Sequence, residues 1–346
     1  MNEDPLMAHA ERREASLAAE AASWNTHAIE DASPGDIPAI DVSAAIGSGA
    51  TTSARNLVAQ QLAEACRQVG FYSLLGHGVP RSLIDEVFEQ NQRFHAQDLA
   101  AKQALAMDRP GTVQGIGYLP PMHQKLPRRS VGNYNEAFII KRDGALRLSD
   151  NPWPPKDQLA DFRHTIERYA AAMEVLALEL LPLYARSLGV PDDFFSEGFT
   201  DPLYRLRLSH YPSPTVEERQ NAGNKGPGFG IAPHVDTTFL TILAQDAPGL
   251  VVYSERRGCW VRVPVLDGAL VVNTGELLKQ WTNDEFLSVK HFANNLSTTS
   301  RYSVPFFFNA NSDYPMTCVP TCTGPGNPPR YPVVSYAQSQ GVVQGE

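Results

Sequence analysis

His234, Asp236 and His291 have the side-chain types needed to hold a divalent metal, and their spacing can bring them together. In an extended segment residues i and i+2 point to one face, so the imidazole of His234 and the carboxylate of Asp236 converge. His291 ends the strand-like run LSVKH, far enough along for intervening antiparallel strands to return it to the first pair. Two imidazoles and one carboxylate on one side of a metal leave positions open, which suits Fe(II) and O2 chemistry. A tetrahedral zinc hydrolase uses the same donor types. The discriminating feature lies ten residues on, where Arg301 and Ser303 share a face of the next strand-like run. A zinc hydrolase needs a general base beside the metal, whereas a keto-acid oxygenase needs a buried cation for a second carboxylate, and a guanidinium grips one in bidentate fashion.

These residues need a rigid frame. Helical periodicity begins near Ser53, with Val58, Leu62, Cys66 and Val69 on one face and Gly70 placed to end it. A second helix is expected through SLIDEVFEQNQRFHAQDLA, and a third carries the stripe Phe162, Ile166, Tyr169, Met173, Leu176, Leu180 and Leu183, which reads as core packing and ends at Gly189. From Tyr204 onward the texture changes to short β-type runs separated by brief turns, the pattern of a sandwich or barrel. An α+β fold follows, with a helical layer on a β-barrel. The expected organisation is an arm over residues 1–35, helical or frayed, an α/β region over 36–190 packing on the barrel, and the barrel with a C-terminal extension over 191–346. The polar, glycine-rich stretch from Ser213 to Gly230 is expected to close over the pocket.

The bulk properties narrow the partners. A net charge of −9 disfavours a nucleic-acid surface, so a small-molecule partner is expected. The first residues, MNEDPLMAHAERREASLAAEAASW, contain no apolar run long enough for a signal peptide or a membrane span, and the four scattered cysteines do not look like a disulfide framework. A cytoplasmic monomer with no membrane contact is the expectation. Cys318 and Cys322 lack a second pair that would complete a zinc site.

The motifs together resemble a known family, the isopenicillin N synthase-like Fe(II)/2-oxoglutarate-dependent dioxygenases. The resemblance runs from residue 37 to 336 and rests on Ile37, Pro38, Ile40 and Asp41, on GFYSLLGHGVP at Gly70 to Pro80, and on HVDTTFLTIL, NTGELLKQWTNDEFLSVKH and RYSVPFFFN. It implies a double-stranded β-helix (a jelly-roll, cupin-like barrel) with a flanking helical layer. It also implies Fe(II) on His234, Asp236 and His291, with 2-oxoglutarate on Arg301, Ser303 and Tyr211 and O2 as oxidant. Ser209 stands where the family carries an Asn, and Gly275-Glu276 where it carries Gly-Asp, read as a turn variant. His77 is read as a structural tie to the barrel. Tyr118, Phe138 and Phe307 fall where members line the substrate pocket. The implied reaction is hydroxylation, desaturation or cyclisation of a small molecule in specialised or amino-acid-derived metabolism, releasing succinate and CO2. Two alternatives stay open: an oxidase of the isopenicillin N synthase type that uses no keto acid, and a catalytically silent small-molecule-binding barrel.

Overall fold

A computed structural model describes residues 29–107, 109, 113–123, 132–144, 146–213, 229–295 and 297–340. Most of the expected arm and residues 214–228 of the expected lid lie outside the described residues.

Two sheets face each other. The larger has eight strands in the order β2 (Ala39–Asp41), β3 (Phe71–Leu75), β11 (Leu270–Thr274), β8 (Leu240–Gln245), β13 (Arg301–Asn309), β6 (Leu203–Tyr211), β5 (Glu136–Arg142) and β4 (Gly117–Leu119). The smaller has five: β1 (Ile29–Asp31), β10 (Cys259–Arg262), β9 (Leu250–Ser254), β12 (His291–Ala293) and β7 (Ile231–His234). The α+β double-stranded β-helix is therefore present. The amino-terminal half is more than a packing layer, since it supplies strands at both edges of the larger sheet.

The end of the arm also departs from the helical or frayed expectation. Residues Ile29–Asp31 add in parallel to β10, and Glu30 and Asp31 pair with Arg257 and Arg262. An open sheet edge with basic side chains takes up an acidic strand through main-chain bonds that periodicity does not reveal.

Helices cover the outer face of the larger sheet. Helix α1 (Thr52–Gln68) is N-capped by Thr51, whose hydroxyl accepts from Ala54 N at 3.2 Å. It ends at Gly70, whose φ of +72° and 2.7 Å approach of a would-be Cβ to Val289 leave room only for glycine. That ending docks α1 on the chain entering β12, with Leu287 N donating to Cys66 O at 2.9 Å. Helix α2 (Arg81–His95) stops earlier than expected. Asp98 takes an extended backbone, and the chain restarts as α3 (Leu99–Gln103). Helix α4 (Phe162–Ser187) buries the whole apolar stripe and contains Pro182. A six-residue helix, α5 (Glu276–Trp281), follows β11, and α6 (Tyr336–Ser339) closes the described chain. Among the described residues no helix is long and apolar enough to cross a membrane.

Strand alternation separates two environments. Leu206, Leu208, Leu240, Ile242, Val304, Phe306 and Phe308 face the helices and form the main core. Their neighbours Ser209, Tyr211, Thr241, Asn273, Arg301 and Ser303 point inward and are buried polar groups or, for Tyr211, a buried phenol. Part of the inner face is apolar, with Phe71, Leu243 and Val271 packed against the smaller sheet, but these polar positions forgo hydrophobic stabilisation, which marks that part of the interior as the candidate site.

Candidate active site

β7 and β12 pair antiparallel with His234 directly opposite His291, and the ring centroids are 4.4 Å apart. Asp236 lies two residues beyond His234. Its Oδ1 is 3.5 Å from His234 Nε2 and 3.6 Å from His291 Nε2. Each imidazole is oriented in the same way: Nδ1 of His234 bonds Ala232 O at 2.8 Å, and Nδ1 of His291 bonds Val289 O at 3.0 Å. A carbonyl only accepts, so Nδ1 carries the hydrogen and Nε2 presents its lone pair to the centre of the group. Burial lowers the His291 pKa to about 4, which keeps that imidazole neutral and able to ligate at neutral pH.

Asp236 is oriented by two buried polar neighbours, Thr241 and Asn273. Its Oδ2 accepts from Thr241 Oγ1 at 2.7 Å and from Asn273 Nδ2 at 2.9 Å, leaving Oδ1 for the imidazole side. Burial alone would raise its pKa. Positive charge on the His291 and His234 imidazoles when they are protonated, together with the Asn273 amide, outweighs this and holds the carboxyl well below its usual range. The signal for Asn273 was legible: an amide on the inward phase of the apolar run LVVNT needs a partner. Glu276 N also donates to Asp236 O at 2.8 Å, so the Gly275-Glu276 turn acts here through its backbone. A Cβ at Gly275 would stand 2.0 Å from Thr238 O, which explains the glycine. We expect Asn273→Leu to weaken Fe(II) binding by about 10- to 100-fold, measured by anaerobic titration, with little change in 2-oxoglutarate affinity once iron is saturating.

The second group of expected residues also meets. Arg301 pairs with Tyr211 across β13 and β6, and Ser303 lies between Ser209 and Gln245. The guanidinium is 1% exposed, with its carbon 4.6 Å from the Tyr211 ring centroid. Its Nε donates to Ala247 O at 3.0 Å and Nη2 to Gln245 Oε1 at 3.2 Å. Nη1 is buried and makes no hydrogen bond among the described residues, as do Gln245 Nε2 and Ser209 Oγ. Ser303 Oγ donates to Tyr211 OH at 3.4 Å. Three unsatisfied buried polar atoms around one cation fit an anionic acceptor such as a carboxylate. Gly249 permits this packing, because a Cβ there would approach Arg301 Nε to 2.5 Å.

Of the residues expected to line the pocket, the structure brings only Phe307 to the inner face, where it pairs with Thr241. Tyr118 and Phe138 are corrections. Tyr118 pairs with Phe138 and Phe138 with Leu208, so strand alternation turns both toward the helices. Phe138 packs on Phe94 with centroids 4.6 Å apart, and Tyr118 OH donates to Glu136 at 2.6 Å. A one-residue phase on β4 and β5 decides between pocket and core, and a short apolar run does not disclose it. His77 bridges Gly268 O at 3.0 Å and Val79 N at 3.2 Å, tying the amino-terminal region to the turn before β11.

On that outer face, His95, Glu136 and His210 form a second group with metal-ligand chemistry. Its carboxylate is already occupied: Lys102 Nζ donates at 2.9 Å, Tyr118 OH at 2.6 Å and His210 Nδ1 at 2.7 Å. It reads as a buried ion-pair network joining α2 and α3 to the sheet. Burial would raise the Glu136 pKa, but the hydrogen bonds from His210 and Tyr118, with the His95 ring close by, depress it strongly. A carboxyl depressed in the folded state contributes stability that is present above its ordinary pKa of 4.5 and is lost as pH falls below it. Glu136→Gln should cost about 3 to 5 kcal/mol, because Lys102 is left buried without its counter-charge. Urea unfolding should show that loss at neutral pH, with a shallower fall in stability below pH 4.5 than in the wild type.

A jelly-roll barrel with two inward histidines and an aspartate at one point, and a buried arginine beyond them, defines the class of non-haem iron oxygenases. Two family models match the chain: the non-haem dioxygenase N-terminal domain named for morphine synthesis over residues 37–158, and the 2OG-Fe(II) oxygenase superfamily over residues 204–310. The chain is 31% identical over 324 residues to the 2-oxoglutarate-Fe(II) type oxidoreductase hxnY of Emericella nidulans, covering 88% of this chain and 90% of that one. It is 33% identical over 292 residues to the 2-oxoglutarate-dependent dioxygenase citB of Monascus ruber, covering 80% and 86%. Among solved structures, a rice dioxygenase for auxin oxidation superposes with a TM-score of 0.69 at 27% identity, covering 88% and 94%. A Neurospora crassa protein in complex with alpha-KG and thymine shares the fold, with a TM-score of 0.78 at 22% identity over 90% and 98%. The chain belongs to the Fe(II)/2-oxoglutarate-dependent oxygenase family. It is an oxidoreductase of small molecules that uses Fe(II), 2-oxoglutarate and O2.

Proposed function

We propose that His234, Asp236 and His291 hold the iron, that Arg301 with Ser303 and Tyr211 receives the far carboxylate of 2-oxoglutarate, and that the enzyme oxidises a C–H bond of its substrate with release of succinate and CO2. The outcome at that carbon is hydroxylation, desaturation or ring closure. The observation that carries this reading is the buried Arg301, whose Nη1 makes no hydrogen bond among the described residues on the inner face of the barrel that also holds the triad.

When bound, iron would activate O2, the oxidant, with the keto acid giving up two electrons as it is decarboxylated. The chain's own residues supply position. The carbonyls of Ala232 and Val289 fix the imidazole tautomers, and Thr241 and Asn273 leave one Asp236 oxygen free for the metal. The Tyr211 ring and the Ala247 and Gln245 oxygens hold the Arg301 plane before its ligand arrives, which lowers the ordering cost of binding. The burial of Arg301 and Ser303 excludes water from that contact and strengthens it. The test is stoichiometry: Fe(II)-loaded enzyme in air should convert 2-oxoglutarate to an equal amount of succinate, faster when an oxidisable substrate is present. Full O2 consumption with substrate but without keto acid would instead support the oxidase reading.

A further inference from the structure

The row of side chains that supports Asp236 continues beyond it. In the sheet register Asn273 lies opposite Thr241, Thr241 opposite Phe307, Phe307 opposite Arg205, and Arg205 opposite Lys141. Directly opposed residues put their side chains on the same face, so this is one inward row running from the two residues that hold the Asp236 carboxylate, across an aromatic ring, to two cations. Arg205 stands two strand spacings from Thr241, about 10 Å.

Arg205 is exposed and makes no hydrogen bond or ion pair among the described residues. That is unusual in this chain, whose net charge is −9. Arg142, on the outward phase of the next strand, is bound by Glu174 and Asp201, Arg186 by Asp192, and Arg256 and Arg257 by Asp36. Arg207, one inward position along β6, adds a second guanidinium to the same face and is buried. The loop before β4 packs against the cations: Lys141 Nζ donates to Gln114 O at 3.1 Å, and a Cβ at Gly115 would lie 3.1 Å from Lys141 Nζ and 3.8 Å from Arg205 Nη2. Phe307, half-buried between Thr241 and Arg205, offers a ring face to whatever spans the gap.

We infer that Arg205 anchors a carboxylate on the substrate, with Phe307 packing on its apolar body, so that the enzyme takes small organic acids and holds them by the end remote from the reacting carbon. A guanidinium on the inward face without an acidic partner matches a planar carboxylate. This deepens the proposed function and rests on its placement of the reaction at the triad.

The test uses phenylacetate, 3-phenylpropionate and 4-phenylbutyrate with their primary amides. Each is titrated by calorimetry into metal-free protein and into anaerobic protein holding Fe(II) and saturating 2-oxoglutarate. At least one acid is expected to bind ten times more tightly than its amide in both forms. Arg205→Gln should erase that preference while leaving 2-oxoglutarate affinity unchanged, and Arg205→Lys should keep part of it. Equal binding of acids and amides, failure of all three acids to bind, survival of the preference in Arg205→Gln, or loss of 2-oxoglutarate affinity in that variant would each overturn the inference. Should 2-oxoglutarate fail to bind the iron-loaded protein before any acid is added, the assignment of Arg301 fails instead, and the metal-free titration still decides the role of Arg205.

Discussion

Arg301→Leu is expected to raise the apparent KM for 2-oxoglutarate by roughly 30-fold to several thousand-fold, because losing one partner of a buried, hydrogen-bonded charge pair typically costs about 2 to 5 kcal/mol. The guanidinium is almost fully buried and held at Nε and Nη2, so its position does not depend on the ligand. Fe(II) affinity should change little, since no metal-facing atom belongs to this residue. Arg301→Lys should recover only part of the loss, as an ammonium keeps the charge but not the planar fork. Ser303→Ala removes one neutral hydrogen bond and should cost nearer 1 kcal/mol. A keto acid without the distal carboxylate, such as 2-oxobutyrate, should serve the wild type poorly and lose its relative handicap in Arg301→Leu. Steady-state kinetics with both keto acids would show this, and an unchanged 2-oxoglutarate KM in Arg301→Leu would remove the residue from the cradle.

His291→Ala should reduce turnover to background while leaving the protein folded. His291 lies at the beginning of β12; its ring meets Phe71 edge-on at 5.2 Å and His234 at 4.4 Å and, among the described residues, hydrogen-bonds only the local Val289 carbonyl, so few structural contacts outside the site depend on it. The same loss is expected for His234→Ala and Asp236→Ala. Asp236→Glu is more informative, because its carboxylate would shift by about one methylene away from Thr241 and Asn273. A displacement on the order of 1 Å can cost about a hundredfold in rate. Unfolding curves measured beside succinate formation separate the two effects. Retained activity in either histidine variant would exclude that residue as a ligand.

Much of this site could be read from sequence because its parts obey local rules. His234 and Asp236 converge through strand periodicity, Arg301 and Ser303 share a face for the same reason, and Gly70 and Gly189 mark helix ends where the chain turns left-handed. What was hidden depends on register between distant segments. Nothing local shows that Tyr118 and Phe138 take the outward phase, or that Glu136 gathers Lys102, His95 and His210 from three other elements. The row from Asn273 to Arg205 is assembled from four strands and exists only once they are paired. The strand at Ile29–Asp31 was missed because its hydrogen bonds come from an edge that the sequence does not display.

Anaerobic Fe(II) titration with and without 2-oxoglutarate, in the wild type and in Arg301→Leu, decides whether the barrel interior holds iron on His234, Asp236 and His291 and 2-oxoglutarate on Arg301. The wild type should bind one Fe(II) and develop a weak visible charge-transfer band only when 2-oxoglutarate is added. Arg301→Leu should bind iron equally well but need a far higher keto-acid concentration for the same band. Iron binding by the wild type with no band at any 2-oxoglutarate concentration, or an Arg301→Leu titration like that of the wild type, would show that these residues do not hold the metal and the keto acid together.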